Sequence, residues 1–285
     1  MRELRSSGIL LSVSIRMFCM PAIVAGLLFA SGLLLSTSAM AQGMQVTRSD
    51  ITTVFGYYGV SHGISDRRFT TVWGNTLFSN NLGVHAEAHY MDREETAGFF
   101  AGGLSWVGDS AEVRGWLGTS SENDSILPEL YGRVEGTFRT SAETGLVFHS
   151  ALAYRSFRNS AEETAAEIEI AKYIPLETGN LILSALARVV HASPGDHLSS
   201  AFGAGLAYVH PRNVSVGVHV EGGRATYDGV PAPGQFDEQY VSIRPVVSFY
   251  LTDDIELVGL MEYSSRESYD VYGGHVGLKV HFDQP

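Results

Sequence analysis

Val214-Ser-Val-Gly-Val-His-Val-Glu221 puts valine at 214, 216, 218 and 220, with Ser215, Gly217, His219 and Glu221 between them. Successive side chains of a strand point to opposite faces, so this stretch has one aliphatic face and one polar, ionisable face. A strand of a soluble sandwich can show the same alternation. Here the pattern recurs in nearly every segment to the C-terminus, and the polar face keeps carrying charge. That combination points to a transmembrane β-barrel with lipid outside and water inside.

The chain of 285 residues opens on a segment of a different kind. Arg2, Arg5 and Arg16 precede an apolar run from Met20 to Leu35, and Ser38-Ala-Met-Ala41 follows. A positive region, an apolar core and an A-x-A site together read as a secretory signal peptide over 1–41, cut after Ala41. Residues 42–51 are expected to form a periplasmic lead-in, and 52–285 the barrel domain. The single cysteine, Cys19, falls in the leader. The remainder therefore has no disulfide framework, no thiolate metal site and no cysteine nucleophile. The leader takes with it three arginines and one glutamate. The 19 basic and 31 acidic residues of the chain thus become 16 and 30, a net charge of −14. Nucleic acid is excluded as a partner, because phosphate binding needs a basic footprint. No stretch after the leader is apolar enough for a spanning helix, so insertion has to proceed through strands.

Fourteen strand-like segments follow from about Thr52, with twelve as the alternative count. About 9–11 residues suffice for one crossing. Short connections near Ser79, Gly108, Thr140, Glu177, Pro211 and Thr252 alternate with longer or more polar ones starting near Gly63, Asp92, Ser120, Asn159, Ser193, Asp228 and Ser264. Short periplasmic turns, longer outer loops and an even strand number put both termini in the periplasm. The expected fold is an all-β, antiparallel, up-and-down barrel. Interfacial aromatics agree with it. Phe78, Trp106, Phe138, Tyr208, Phe249 and Phe282 form the expected inner girdle, and Tyr58, Tyr90, Tyr154 and Tyr263 the outer one. Two places break the alternation. A bulge at Gly222-Gly223 would turn Arg224 inward and Tyr227 outward, and Pro245 in mid-strand calls for a second bulge.

The same parity assigns a lumen. Its acidic members are Glu87, Glu112, Glu135, Glu167, Glu169, Glu221, Glu256 and Glu262. Its basic and histidine members are Arg114, Arg133, Arg139, Arg155, Arg188, Arg224, Arg244, Arg266, Lys279 and His219. Opposite charges at similar depth on neighbouring strands imply cross-strand ion pairs, with Arg114, Glu135 and Arg155 as one such triad. Either these groups satisfy one another and fill the barrel, or they line a hydrated path. Asp92, Glu94, Glu95, Asp124, Asp237 and Glu238 would give such a path a mouth that leans to cations. His85-x-Glu87-x-His89 places three metal-ligand types on one strand face, yet alternating polar residues are what any lumen strand shows, and neither a metal nor a cofactor is assigned. His149 faces inward while the adjacent Ser150 points outward. With no G-x-S-x-G, Walker or H-E-x-x-H motif, no catalytic residue is assigned.

Leu127-Pro-Glu-Leu-Tyr-Gly-Arg133, Ala151-Leu-Ala-Tyr-Arg-Ser-Phe157, Ala171-Lys-Tyr173 and the run Ser199 to Tyr208 lie within a region, Leu127 to Asp228, that resembles the YaiO family of outer-membrane β-barrel domains. The resemblance implies an outer-membrane barrel without an assigned activity. Relatives are associated with surface polysaccharide, and some carry tetratricopeptide repeats, which are not found in this sequence. Outer-membrane proteins commonly end on an aromatic assembly signal. Val280 and Phe282 keep the alternation here, but Asp283-Gln-Pro285 follow. The expected partners are the lipid bilayer, the outer-membrane assembly machinery, and small polar solutes or polysaccharide. The expected function is a channel or export conduit. The alternatives are a closed structural barrel that binds through its loops, and an outer-membrane lipid-modifying enzyme.

Overall fold

A computed structural model describes residues 45–62, 66–93, 96–121, 127–158, 160–195, 197–210, 214–225 and 238–283. The expected signal peptide, Tyr227 and most of the acidic outer loops lie outside them. The strands are β1 (Val46–Val60), β2 (Arg67–Phe78), β3 (Leu82–Asp92), β4 (Thr96–Val107), β5 (Ala111–Ser120), β6 (Leu130–Arg139) and β7 (Leu146–Ser156). They continue as β8 (Glu162–Leu176), β9 (Gly179–Ser193), β10 (His197–Val209), β11 (Val214–Ala225), β12 (Glu238–Thr252), β13 (Ile255–Arg266) and β14 (Asp270–Asp283). Each pairs antiparallel with its sequence neighbours, and β1 pairs with β14 from Arg48↔Asp283 to Val60↔Val271, which closes the barrel. The strand number is fourteen. β1 takes in residues 46–51 of the expected lead-in.

Closure leaves no edge strand, so no row of N–H and C=O groups stays unpaired. At the end holding Val46 and Asp283 the connections are short, as at 177–178 and 253–254. Asn81 and Gly145 sit at positive φ (68° and 58°) in turns at this end, a conformation that asparagine and glycine accept at low cost. At the opposite end, the Tyr57 hydroxyl donates to Asp66 Oδ2 at 2.5 Å and the Val60 amide to Oδ1 at 3.2 Å. These two donors hold the Asp66 carboxyl below its usual range and fasten the connection from β1 to β2.

One face of every strand is a continuous apolar surface. Leu104, Leu117, Val134, Leu152 and Phe202 are among its exposed side chains, Leu117 at 70 %. The other face turns to the interior and holds the ionisable groups. Trp106, Phe138, Phe249, Phe282, Tyr154 and Tyr263 stand exposed on the outer face, as the girdle reading expected. Tyr90 and Tyr208 are half-buried, and two further members depart from that reading. Tyr58 points inward and stacks on Phe69 at 5.6 Å, because Asp50, Thr52 and Val54 fix the inner parity of β1 and leave Phe55 and Tyr57 outside. Phe78 is buried against Val46, with Val84 packed alongside.

Neither expected bulge forms. β11 and β12 keep one register from Val214↔Phe249 to Ala225↔Glu238. Arg224 therefore retains outward parity, at the exposed rim where its strand ends. On its β13 side, β12 makes no pair at Arg244 or Pro245 and resumes at Val246↔Leu260 in the same register. The proline's missing donor is absorbed by skipped pairs. The shift in this pair of strands falls instead between Tyr250 and Thr252, beside the 253–254 turn.

Val134 tests the assignment of faces. Val134→Arg should lower folding stability in lipid vesicles by ~2–4 kcal/mol, although Arg133, its neighbour on the inner face, is native. Equilibrium denaturation measures the difference, and a loss near zero would mean that the faces are inverted.

Candidate functional site

Of the residues assigned to the lumen from their parity, Glu87 lies opposite Trp73, Glu169 opposite His149 and Lys279 opposite Thr52, Arg155 pairs with Glu163, and most of the others fall in two ionic networks. The first network joins β5 and β6. Arg114 bonds Glu112 two residues before it, and Arg133 Nε donates to Glu135 Oε2 at 2.8 Å. Across the strands, Arg139 Nη2 meets Glu112 Oε2 at 3.0 Å and Arg114 Nη1 lies 3.8 Å from Glu135. The pairs thus run along strands as well as between them. Arg155 does not join Arg114 and Glu135. Its Nη1 donates to Glu163 Oε2 at 3.2 Å.

The second network is centred on Glu221, which is 1 % exposed. Arg188 of β9 and the Tyr240 hydroxyl of β12 both donate to Glu221 Oε1. Arg244 Nη2 donates to Oε2 at 3.3 Å, and His219 Nε2 lies 3.7 Å from the same oxygen. Arg188 also reaches Glu167 at 4.0 Å, and Arg244 reaches Glu262 at 3.6 Å. The chain Glu167–Arg188–Glu221–Arg244–Glu262 spans β8 to β13. Arg188 has to pass over β10 to reach β11, and β10 offers only Ala201 and Gly203 to the interior at this level. A Cβ at 203 would stand 2.8 Å from His219 Nε2, so the imidazole packs where a larger residue would project.

These groups line a cavity of about 220 Å³. Its wall takes inward-facing arginines from five strands, Arg133, Arg155, Arg188, Arg244 and Arg266, and Arg224 borders it from the rim. The acidic lining is Glu163, Glu167, Glu221 and Glu262. The cavity lining is therefore richer in arginine than in carboxylate. Of the acidic groups behind the expected cation-leaning mouth, Glu94, Glu95, Asp124 and Asp237 lie outside the described residues, and Glu238 is buried and bonded by the Ser268 hydroxyl.

The opposite wall carries rings. Phe69 stacks on Tyr58 and His89, and His85 stacks on Trp116 at 4.8 Å. His89 Nδ1 bonds Thr71 Oγ1 at 2.7 Å, while His85 Nδ1 bonds Asn75 Oδ1, whose amide donates to Asp50. The H-x-E-x-H face thus has its histidines engaged with uncharged partners. Among the described residues no three His, Cys, Asp or Glu side chains converge as a metal site. His149 bonds Thr137 Oγ1, and Ser150 lies on the other face. Sequence reasoning missed Glu163 and Tyr240. Both were within its reach, because Glu163 continues the parity of Glu167 and Glu169, and Tyr240 that of Arg244.

Removing one partner of a buried ionic group leaves the other charges uncompensated. Glu221→Gln should therefore cost ~3–5 kcal/mol. Glu262→Gln, at a partly exposed carboxylate, should cost ~0–1 kcal/mol. Denaturation of the two folded variants ranks them, and equal losses would remove Glu221 from the centre of the network.

Comparison with known proteins adds the fold and nothing finer. No family model matches the chain, and no curated protein does. Among solved structures, the chain is similar to a bacterial polysaccharide outer membrane secretin (10 % identity, TM-score 0.50, covering 83 % of this chain and 98 % of that one). It is also similar to Omp33 of Acinetobacter baumannii (9 % identity, TM-score 0.48, 83 % and 99 % covered). The translocator domain of the autotransporter NalP from Neisseria meningitidis is a third (12 % identity, TM-score 0.46, 91 % and 97 % covered). The chain has the fold of outer-membrane β-barrel proteins.

Proposed function

We propose that this protein is an outer-membrane channel, a conduit for small polar solutes. The observation that carries this reading is the cavity of about 220 Å³ walled by ionic groups, on strands whose other face is apolar. A barrel of about eight strands can be filled by its own side chains, and fourteen strands enclose more room than that. Long arginine and glutamate side chains around water are the usual lining of a selective aqueous path. In this reading the signal peptide delivers the chain across the inner membrane, the assembly machinery inserts it, and both termini face the periplasm. Membership of the YaiO family, and with it a role in moving surface polysaccharide, is the finer form of the proposal and rests on the motifs between Leu127 and Asp228.

A second reading has its own support. Arg188, Glu221, Arg244 and Tyr240 bond one another across the interior, so the lumen could be closed by its ion pairs, with the loops binding a partner. Single-channel recording in planar bilayers separates the two. The expected outcome is discrete steps, with Arg133→Gln lowering and Glu135→Gln raising the share of current carried by anions. A folded, heat-modifiable barrel that gives no steps would establish the closed form.

A further inference from the structure

We infer that the arginine-walled cavity is a binding site for oxyanions, and that it takes a small acidic sugar or a sugar phosphate. The inference deepens the channel reading by naming the solute class, and its binding arm stands without conduction.

Three observations carry it. First, five inward-facing arginines stand against four glutamates in the cavity wall, and Arg224 adds a sixth guanidinium at its rim. The whole chain, by contrast, has a net charge of −12. Second, the two signs sit at different depths. Glu221 is 1 % exposed and Glu163 4 %, whereas Arg188 and Arg244 are each 31 % exposed and Arg155 41 %. Glu221 and Glu163 are sunk into the wall with their arginines in front of them, while Glu167 and Glu262, 21 % and 24 % exposed, share the surface with the guanidiniums. Third, two of the guanidiniums are propped. Arg266 lies over the Tyr240 and Tyr269 rings at 5.5 and 5.3 Å, and Arg155 over Tyr131 at 6.0 Å. Stacking on a ring fixes the plane of a guanidinium but consumes none of its five N–H donors. A fork of such donors matches the two oxygens of a carboxylate or the oxygens of a phosphate. A volume of about 220 Å³ is below the ~300–1,000 Å³ of pockets for drug-sized ligands, which fits one sugar unit.

Calorimetric titration of the folded, detergent-solubilised protein tests the site. The probes are glucuronate, glucose 6-phosphate and, as the neutral control, glucose. Both anions should bind and glucose should not. The tighter of the two anions identifies the class as carboxylate or phosphate. Arg155→Gln combined with Glu163→Gln leaves the net charge unchanged but removes a forward guanidinium and its sunken partner. It should weaken anion binding about tenfold, the size of one charge-assisted hydrogen bond. Arg266→Gln, on the inner face of β13, is the second variant, for the case in which the double substitution does not fold. Arg114→Gln combined with Glu112→Gln, at residues that do not line the cavity, should leave binding as in the native protein. Absence of anion binding by the folded native protein, equal binding of glucose, or indifference to both cavity variants would overturn the inference. Binding without conductance would overturn the channel and uphold the site. Conductance without anion binding would do the reverse.

Discussion

A strand that crosses hydrocarbon must find a protein partner for every backbone N–H and C=O, because no water is there to take one. Closure of β1 on β14 meets that demand for all fourteen strands at once. The remaining architecture follows from it. A closed, fully paired sheet fixes the alternation of faces along each strand, and lipid on one face leaves only the other for charge. Skipped pairs at Arg244 and Pro245 are affordable because they fall on one strand boundary, with the Val218↔Pro245 and His219↔Arg244 pairs intact on the other.

Inside the barrel, the governing cost is that of placing carboxylates out of reach of water. Glu221 meets it with two guanidiniums and a phenol. That number of partners is possible only because the strand between the donors and the acceptor is stripped of bulk. Arg188 approaches over Ala201 and Gly203, and Arg244 arrives from the far side. Small residues on β10, which carry no chemistry themselves, thus decide where the ionic chemistry can assemble.

The fold was legible because its signal is a period of two, and the valines of 214–220 state that period without interruption. The lumen was legible for the same reason, since parity needs only one fact per residue. Parity failed where a strand offers two equivalent choices. β1 has aromatics at both Tyr57 and Tyr58, and only the buried Asp50, Thr52 and Val54 decide which of them faces lipid. Partner choice was legible only in part, since Arg114 meets Glu135 as expected and Arg155 does not. Whether Arg155 meets Glu135 or Glu163 depends on depth, and depth depends on the stagger between strands, which no single strand records. Gly222-Gly223 and Pro245 misled for a related reason. They mark where a bulge is permitted, whereas the neighbouring ladders determine whether one is needed, and continuous pairing across β11 and β12 removes the need.

Filling the lumen and lining it are not competing uses of the same ion pairs. A guanidinium has five N–H groups in a rigid fork, and a carboxylate behind it engages one or two of them. The carboxylate, by contrast, can be surrounded, as Glu221 is. Pairing therefore treats the two signs unequally. It withdraws the acid from the solvent and leaves the base in contact with it, so a wall of nearly balanced composition presents mainly donors to the interior. The sign of such a surface is set by which partner stands in front. Composition alone, on which the loops and the net charge of the chain were first weighed, does not contain that information. It resides in the register that carries Arg188 and Arg244 forward over small residues and sets Glu221 behind them.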